Sequence, residues 1–424
     1  MLRHRRGLRA AQTRRVGEAL CSAKRHNSAG FDGNLHTYRL AIAATGEYTA
    51  AQGGTVASAL SAITTTINGV NAIYAQEISV RLTLIGNENS IIYTDGTTDP
   101  YTSGNLNSLI GENQSNLQSV IGDDNYDLGQ VFDGPNVGGL ANIGGVCDNA
   151  RKGKGASTGN FVDITAHELG HQLGAHHIFN STSGFCGNFN GGSQRNGPTA
   201  YEVGSGSTLM SYAGGCSPED LQLGRDNYFN GENLIELDLH LAGSCDAESD
   251  TGNRAPGFQP LPGPVIDIPS RTPFTLTATG ANDPDGDAIT YTWEEDDMGT
   301  ASPPEGDDGS RPLFRPIAPA PLPANTSTFS RTFPQLQYIL ANANNPPATY
   351  VCASDAVGNP INCLTGETLP TTTRFLRFRA TVRDNRGGIG QGIVDLQSHA
   401  AAGPFVVTDP NPRPCGPLGC GEVV

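Results

Sequence analysis

From Leu35 the run L-H-T-Y-R-L-A-I-A alternates apolar with polar residues, the period-two pattern of a half-buried strand. Val56, Leu60, Ile63, Ile67, Val70 and Tyr74 then recur at helical spacing and predict an amphipathic helix lying on a sheet. The segment I-S-V-R-L-T-L-I from Ile78 to Ile85 reads as a second strand, Leu106 to Ile121 as a second helix and Tyr126 to Phe132 as a third strand. A further helix enters from Asn160, and another includes Asn233 to Ala242. Strands alternating with helices in this way describe an α/β fold with a mixed, mostly parallel sheet.

The pattern changes at Ala247 to Pro264, a Pro- and Gly-rich stretch without apolar periodicity, and a domain boundary is expected there. Beyond it, Pro273 to Thr279 and Ala288 to Glu294 alternate as strands around a tight N-D-P-D-G-D turn, which predicts a hairpin. Arg374 to Arg383 (R-F-L-R-F-R-A-T-V-R) is another alternating strand, and a Pro- and Asn-rich insertion from about 299 to 373 separates it from the hairpin. These strands resemble those of immunoglobulin-like or PKD-like sandwiches, with Trp293 as a core anchor. The expected organisation is a basic leader or propeptide remnant at 1–33, a first domain at 34–248, an all-β module at 249–400 and the start of a further module or tail at 401–424.

Composition narrows the class. With 54 glycines, 28 prolines and only 16% charged residues in 424, the chain suits loop-rich, β-rich exported modules. A net charge of −16 argues against nucleic acid and anionic membrane surfaces as partners. No run of roughly 18 apolar residues predicts a membrane span. The first 30 residues are strongly basic, from Arg3 to Arg25 against the single acid Glu18, but contain no stretch of signal-peptide length. The nine cysteines form no C-x-x-C pair, so disulfides in an oxidising, extracellular compartment are favoured over a structural zinc finger. Cys352 and Cys363 are placed to bridge each other, and Cys415 and Cys420 can close a short loop. A Cys186–Cys216 bridge would join two loops near the chemistry described next, although spacing alone does not fix connectivity. Cys21 is then the thiol left over.

That chemistry lies in T-A-H-E-L-G-H-Q-L-G-A-H-H-I-F, Thr165 to Phe179. Residues four apart on a helix share a face, so His167 and His171 offer two imidazoles to one metal ion. Glu168 stands about 100° further round, within reach of a metal-bound water but outside the ligand set, which suits a general base. Gly174 can take a positive φ, end the helix and turn the chain so that His177 arrives as third ligand. Three protein ligands leave one tetrahedral position open, the arrangement of catalytic zinc. His176 would serve in a shifted register, but the glycine spacing favours His177. Asp283, Asp285 and Asp287 are candidate calcium ligands, with a plain turn as the alternative.

The extended pattern H-E-x-x-H-x-x-G-x-x-H, followed at Ser207 to Gly215 by S-T-L-M-S-Y-A-G-G, resembles the metzincin metallopeptidases, and among them secreted bacterial reprolysin-like peptidases. The resemblance implies that Met210 forms a Met-turn beneath the metal and that Tyr212 helps hold the oxyanion. It also implies that the glycine-rich run 138–147 supplies an antiparallel edge strand just before the active helix, to which extended substrate adds; a loop is the alternative. Ile178 departs from the animal reprolysins, which usually place Asp there. Together these readings predict a secreted, monomeric zinc endopeptidase acting on protein or peptide substrates. A secreted binding or adhesion protein with a vestigial metal site is the competing class.

Overall fold

The structure, a computed structural model, describes residues 33–405 apart from 135–137, 243, 302–305 and 343. The leader up to residue 32 and Cys21, Cys415 and Cys420 lie outside the described residues.

The first sheet is built on β1 (Asn34–Ala44), which pairs in parallel with β2 (Val80–Leu84) and β3 (Leu128–Asp133). Beyond β3 lie β5 (Gly155–Thr158), parallel to it, and β4 (Gly139–Ala141), antiparallel to β5 and forming the edge. The order is therefore β2-β1-β3-β5-β4, with β6 (Ala247–Asp250) pairing antiparallel to the first residues of β1. Alternation along β1 divides two apolar layers. Tyr38, Leu40 and Ile42 face α1 (Val56–Glu77) and α3 (Val162–Gln172), whereas Ala41 and Ala43 face α2 (Leu106–Val120).

Local sequence explains where the helices start. Thr55 and Ser58 form a capping box at the head of α1, and the Asn105 side chain accepts from Ser108 N at the head of α2. Helix α1 is long and apolar enough to cross a bilayer, which the run-length criterion did not anticipate because its Thr, Ser and Asn residues interrupt the apolar run. Its buried face, Ala59, Ile63, Ile67, Val70 and Tyr74, belongs to the core.

Strand β5 was not foreseen. Its sequence G-A-S-T has no apolar alternation, because all four residues are buried between neighbours on both sides and need only be small. In sequence it falls between the edge strand β4 and helix α3, so the edge strand is not the one immediately before that helix.

The second core is also β-built. A five-stranded sheet has the order β10 (Ala320–Pro321), β9 (Thr290–Glu295), β14 (Phe375–Arg383), β15 (Ile389–His399), β7 (Ile266–Pro269). Strands β8 (Phe274–Ala278) and β11 (Phe329–Phe333) form a ribbon that shares its apolar layer: Leu276, Phe329 and Phe333 meet Trp293, Phe378 and Leu396. A two-stranded hairpin, β12 (Thr349–Ser354) and β13 (Pro360–Leu364), is tied by Cys352–Cys363.

One expectation is corrected here. Strand β8 pairs with β11 and not with β9, so the N-D-P-D-G-D turn crosses from one sheet to the other; both strands bury a face in the same core, and alternation alone does not say which neighbour each takes. The turn's carboxylates are also engaged by protein donors. Asp285 pairs with Arg254 at 2.7 Å, Asp287 with Arg386 at 3.0 Å, and Asp283 Oδ1 accepts from the amides of Asp285 and Asp287. Guanidinium groups thus take two of the three candidate calcium ligands, Asp285 and Asp287, while Asp283 Oδ2 is buried without a hydrogen-bond partner among the described residues.

Polar groups join the two cores. Arg379 and Arg383 of β14 are 1% exposed in their side chains and reach across to the first core. Arg379 pairs with Glu232 at the start of α4 (Gly231–Leu241) and with Asp296; Arg383 pairs with Glu77 at the end of α1. The Glu294 carboxylate accepts from Gly231 N at 2.9 Å.

Candidate metal centre

Helix α3 carries His167 and His171 one turn apart with their rings at right angles, 4.7 Å between centroids. After Leu173 the chain turns at Gly174, whose φ is 107° and where a Cβ would stand 2.8 Å from His240. This turn brings His177 back under the helix. Its Nε2 lies 3.2 Å from Nε2 of His167 and 3.0 Å from that of His171.

The other ring nitrogens fix the tautomers. His167 Nδ1 is 2.8 Å from Leu209 O, His171 Nδ1 is 2.7 Å from Ala175 O, and His177 Nδ1 is 2.6 Å from Gln194 O. A carbonyl only accepts, so each Nδ1 carries the proton and each Nε2 presents a lone pair. Burial pushes all three imidazoles toward the neutral form, His171 to about 4, with neighbouring cations and the other histidines adding to the effect at His167 and His177. Three neutral lone pairs facing one another repel unless a cation stands between them. Tetrahedral coordination with metal–nitrogen bonds of roughly 2.0 Å needs donors about 3.3 Å apart. The donor set fits a zinc-like ion.

Glu168, between the two helical histidines in sequence, is buried against the edge strand, so close that a Cβ at Gly139 would lie 2.2 Å from Oε1. Burial raises its carboxyl to about 8, with Arg225 opposing. Met210 is fully buried beneath the helix; its sulfur would meet a Cβ at Gly170 at 2.9 Å, and its carbonyl accepts from Ile178 N. The Tyr212 ring stands 4.7 Å from that of His177. His176 is not one of the converging histidines: it borders the same hollow, and its Nδ1 lies 2.8 Å from Glu236 on α4, which raises its pKa. Cys186 and Cys216 form a disulfide beside Phe179 and Tyr212, joining the two loops around the site. A third bridge, Cys147–Cys245, joins the loop after β4 to the segment after α4.

Two hollows meet at Glu168 and Tyr212. One, about 340 Å³, is lined by Leu140, Ala141, Ile143, Gln194 and Arg195; the other, about 480 Å³, by Phe161, Ile164, Phe185, Phe189 and Arg225. Strand β4 borders both. A larger cavity of about 780 Å³ lies near Arg271, Leu364 and Phe405, contains none of these residues and, among the described residues, has no convergent set of metal-binding groups.

Several supporting residues escaped the sequence reading. Glu202 is 1% exposed under the Met-turn; its carboxylate accepts from Ser207 N at 2.8 Å, from the Thr208 hydroxyl at 2.5 Å and from Asn230 Nδ2 at 3.1 Å. Arg225 bonds Ser211 O at 2.7 Å and Asp163 at 3.0 Å. Neither sits in a motif, and the carbonyls that orient the histidines leave no mark in the sequence at all. A second metal-compatible group, His36, Asp246 and Glu248, already has protein partners: His36 Nδ1 lies 2.7 Å from Asp246, and Glu248 accepts from Asn34 Nδ2 at 3.1 Å.

Comparison with known proteins agrees with the geometry in one respect. Residues 34–239 match the model of the family described as Metallo-peptidase family M12B Reprolysin-like. No curated protein matches the chain. Among solved structures, a chain of "Structure of a chaperone-substrate complex" overlaps 48% of this chain at 17% identity and a TM-score of 0.27, and this chain covers only 35% of it. A nucleoside hydrolase-related hypothetical protein from Saccharophagus degradans, associated with carbohydrate metabolism, overlaps 86% of this chain and 99% of its own length at 10% identity and a TM-score of 0.20. Both superpositions are too poor to carry fold or function across. The family match, falling on the segment that holds all three converging histidines, supports a metzincin-like metallopeptidase domain within residues 34–239.

Proposed function

We propose that the chain is a secreted zinc endopeptidase that hydrolyses peptide bonds in protein substrates. The observation that carries this reading is the trio of converging Nε2 lone pairs beside the buried Glu168 carboxyl group, at the meeting point of two hollows along a sheet edge. Zinc, when held by His167, His171 and His177, supplies a Lewis acid that acidifies water and polarises a carbonyl.

The chain's own groups do the rest. Strand β4 offers main-chain donors and acceptors along its free side, so an extended peptide aligns there by strand addition. The Glu168 carboxylate takes a proton from the attacking water and hands it to the leaving amine. The Tyr212 phenol, beside His177, donates to the developing oxyanion. Met210 and Gly174 shape the floor and the turn that present the histidines. Three disulfides fit an oxidising, extracellular compartment. On this reading the catalytic domain occupies 34–248 and an immunoglobulin-like sandwich 249–400, with β6 straddling the boundary.

The test compares the full chain with Glu168→Ala for zinc content and casein cleavage. One zinc per chain in both, with turnover reduced by roughly 10²–10⁴ in the variant, is expected. Zinc without cleavage by the wild type would favour a binding protein, and folded protein that takes up no zinc would end the metal reading.

A further inference from the structure

Resting on the zinc-peptidase reading, we infer that Arg383, on β14 of the second core, is a positioning residue for the metal centre. Its side chain is 1% exposed and spends its donors on fixed partners: Glu77 Oε2 at 3.2 Å, the Thr292 hydroxyl at 3.1 Å and Phe229 O at 2.9 Å. Glu77 Oε2 also accepts from Phe229 N at 3.1 Å. The ion pair therefore clamps both backbone polar groups of one residue.

Phe229 passes that constraint to the site by two routes. Through the chain, the preceding carbonyl, Tyr228 O, accepts from Leu209 N at 2.9 Å, and Leu209 O is the group that holds His167 Nδ1. Through the side chain, the buried Phe229 ring lies against Gly170 on the active helix, 3.5 Å from where a Cβ would stand. The Tyr228–Phe229 peptide and Leu209, which takes Tyr228 O on its amide and holds the ring on its carbonyl, are what stand between Arg383 and His167.

A buried ion pair is a poor stabiliser, because desolvation consumes most of its Coulombic gain, and apolar replacement of both partners is often neutral. What it supplies is direction: a guanidinium fork and a carboxylate fix positions that greasy contacts leave loose. Ligand-orienting groups one step from a metal alter its affinity by roughly 10–100-fold. Arg383 lies two steps beyond Leu209 O, past Leu209 N and the Tyr228–Phe229 peptide, and should act at the lower end.

The experiment uses the full chain carrying the paired change Glu77→Met and Arg383→Met, which removes both members of the clamp together; the buried Glu294, which Arg383 also faces, keeps Gly231 N and Arg379. Its control is Arg331→Met with Glu367→Met, a 2.6 Å ion pair wholly within the second core. Zinc affinity is read by competition with a chromophoric chelator, kcat and KM with a peptide substrate, and folding by thermal melting. The clamp variant should bind zinc about tenfold more weakly and lose kcat by a similar factor with KM held, while the control stays within about twofold of wild type. If the clamp variant does not fold, Arg383→Lys replaces it, keeping the charge but not the fork, with an expected loss of about threefold. Wild-type affinity and kcat in the folded clamp variant or its lysine substitute, or an equal loss in the control, overturns the inference. A wild type that binds no zinc instead removes the functional reading beneath it.

Discussion

Replacing Gly139 with alanine would put a methyl group where the Glu168 carboxyl lies. The added Cβ would stand 2.2 Å from Oε1 and 2.5 Å from both Cδ and Cγ, whereas ordinary contact begins at 3.4 Å. The side chain must therefore retreat by about 1 Å or the edge strand must move. Gly139 does not have a positive φ, so alanine introduces no backbone strain and the effect falls on the carboxylate. A misplacement of about 1 Å in a reacting group costs on the order of 10²-fold in rate, or about 2.7 kcal/mol. Gly139→Ala should thus lower kcat about a hundredfold on a fluorogenic peptide, with zinc content unchanged. The decisive comparison adds the same change to Glu168→Ala, where the clash no longer exists. If alanine at 139 acts by displacing the carboxylate, the double variant is no slower than Glu168→Ala alone. A further hundredfold loss in the double variant would refute the reasoning and assign Gly139 to substrate pairing along β4 instead.

Two further outcomes are expected. Gly174→Ala must hold alanine at a φ of 107° and 2.8 Å from His240; it should cost about 1–3 kcal/mol in a denaturant titration and weaken zinc binding roughly tenfold through His177, and unchanged affinity would mean that the turn does not set that ligand. Glu88 is 3% exposed, accepts from Ile42 N where β2 has ended, and is pushed up to about 8 by burial. Between the ordinary Glu range and that value the unfolded chain ionises while the folded one keeps its proton, so stability is full at low pH and falls by about 1.4 kcal/mol per pH unit as pH rises. Glu88→Gln lacks this slope and should gain about 3 kcal/mol on wild type between about pH 5 and pH 7.5 in urea melts; parallel curves would show that Glu88 is ionised in the fold.

The candidate metal site was legible because its three histidines fall within eleven consecutive residues and obey helix geometry, with one glycine marking the turn. The α/β alternation was legible for the same local reason. What escaped depends on contacts between distant segments. Alternation in R-F-L-R-F-R-A-T-V-R marks Arg379 and Arg383 as sharing a face, but not that α1 and α4 cover that face and bury both guanidinium groups. The three aspartates after Asn282 offer metal-compatible oxygens, and nothing in the sequence shows that Arg254 and Arg386 fold back to occupy two of them. Strand β5 is silent because small residues serve equally well in loops. Cys147–Cys245 spans 98 residues, and such a pairing has no sequence mark.

That last bridge also governs what happens when the chain is cut. Every residue assigned to the chemistry, from His167 to Tyr212, lies inside the covalent ring closed by Cys147 and Cys245, and the Cys186–Cys216 ring nests within it. A single peptide-bond break between residues 148 and 244 leaves both new ends attached to one molecule, so the severed halves face each other at an effective concentration set by the ring instead of by dilution. For a chain that on the proposed reading is itself a secreted protease, a nick in the glycine-rich loops around the cleft opens a ring without losing a piece.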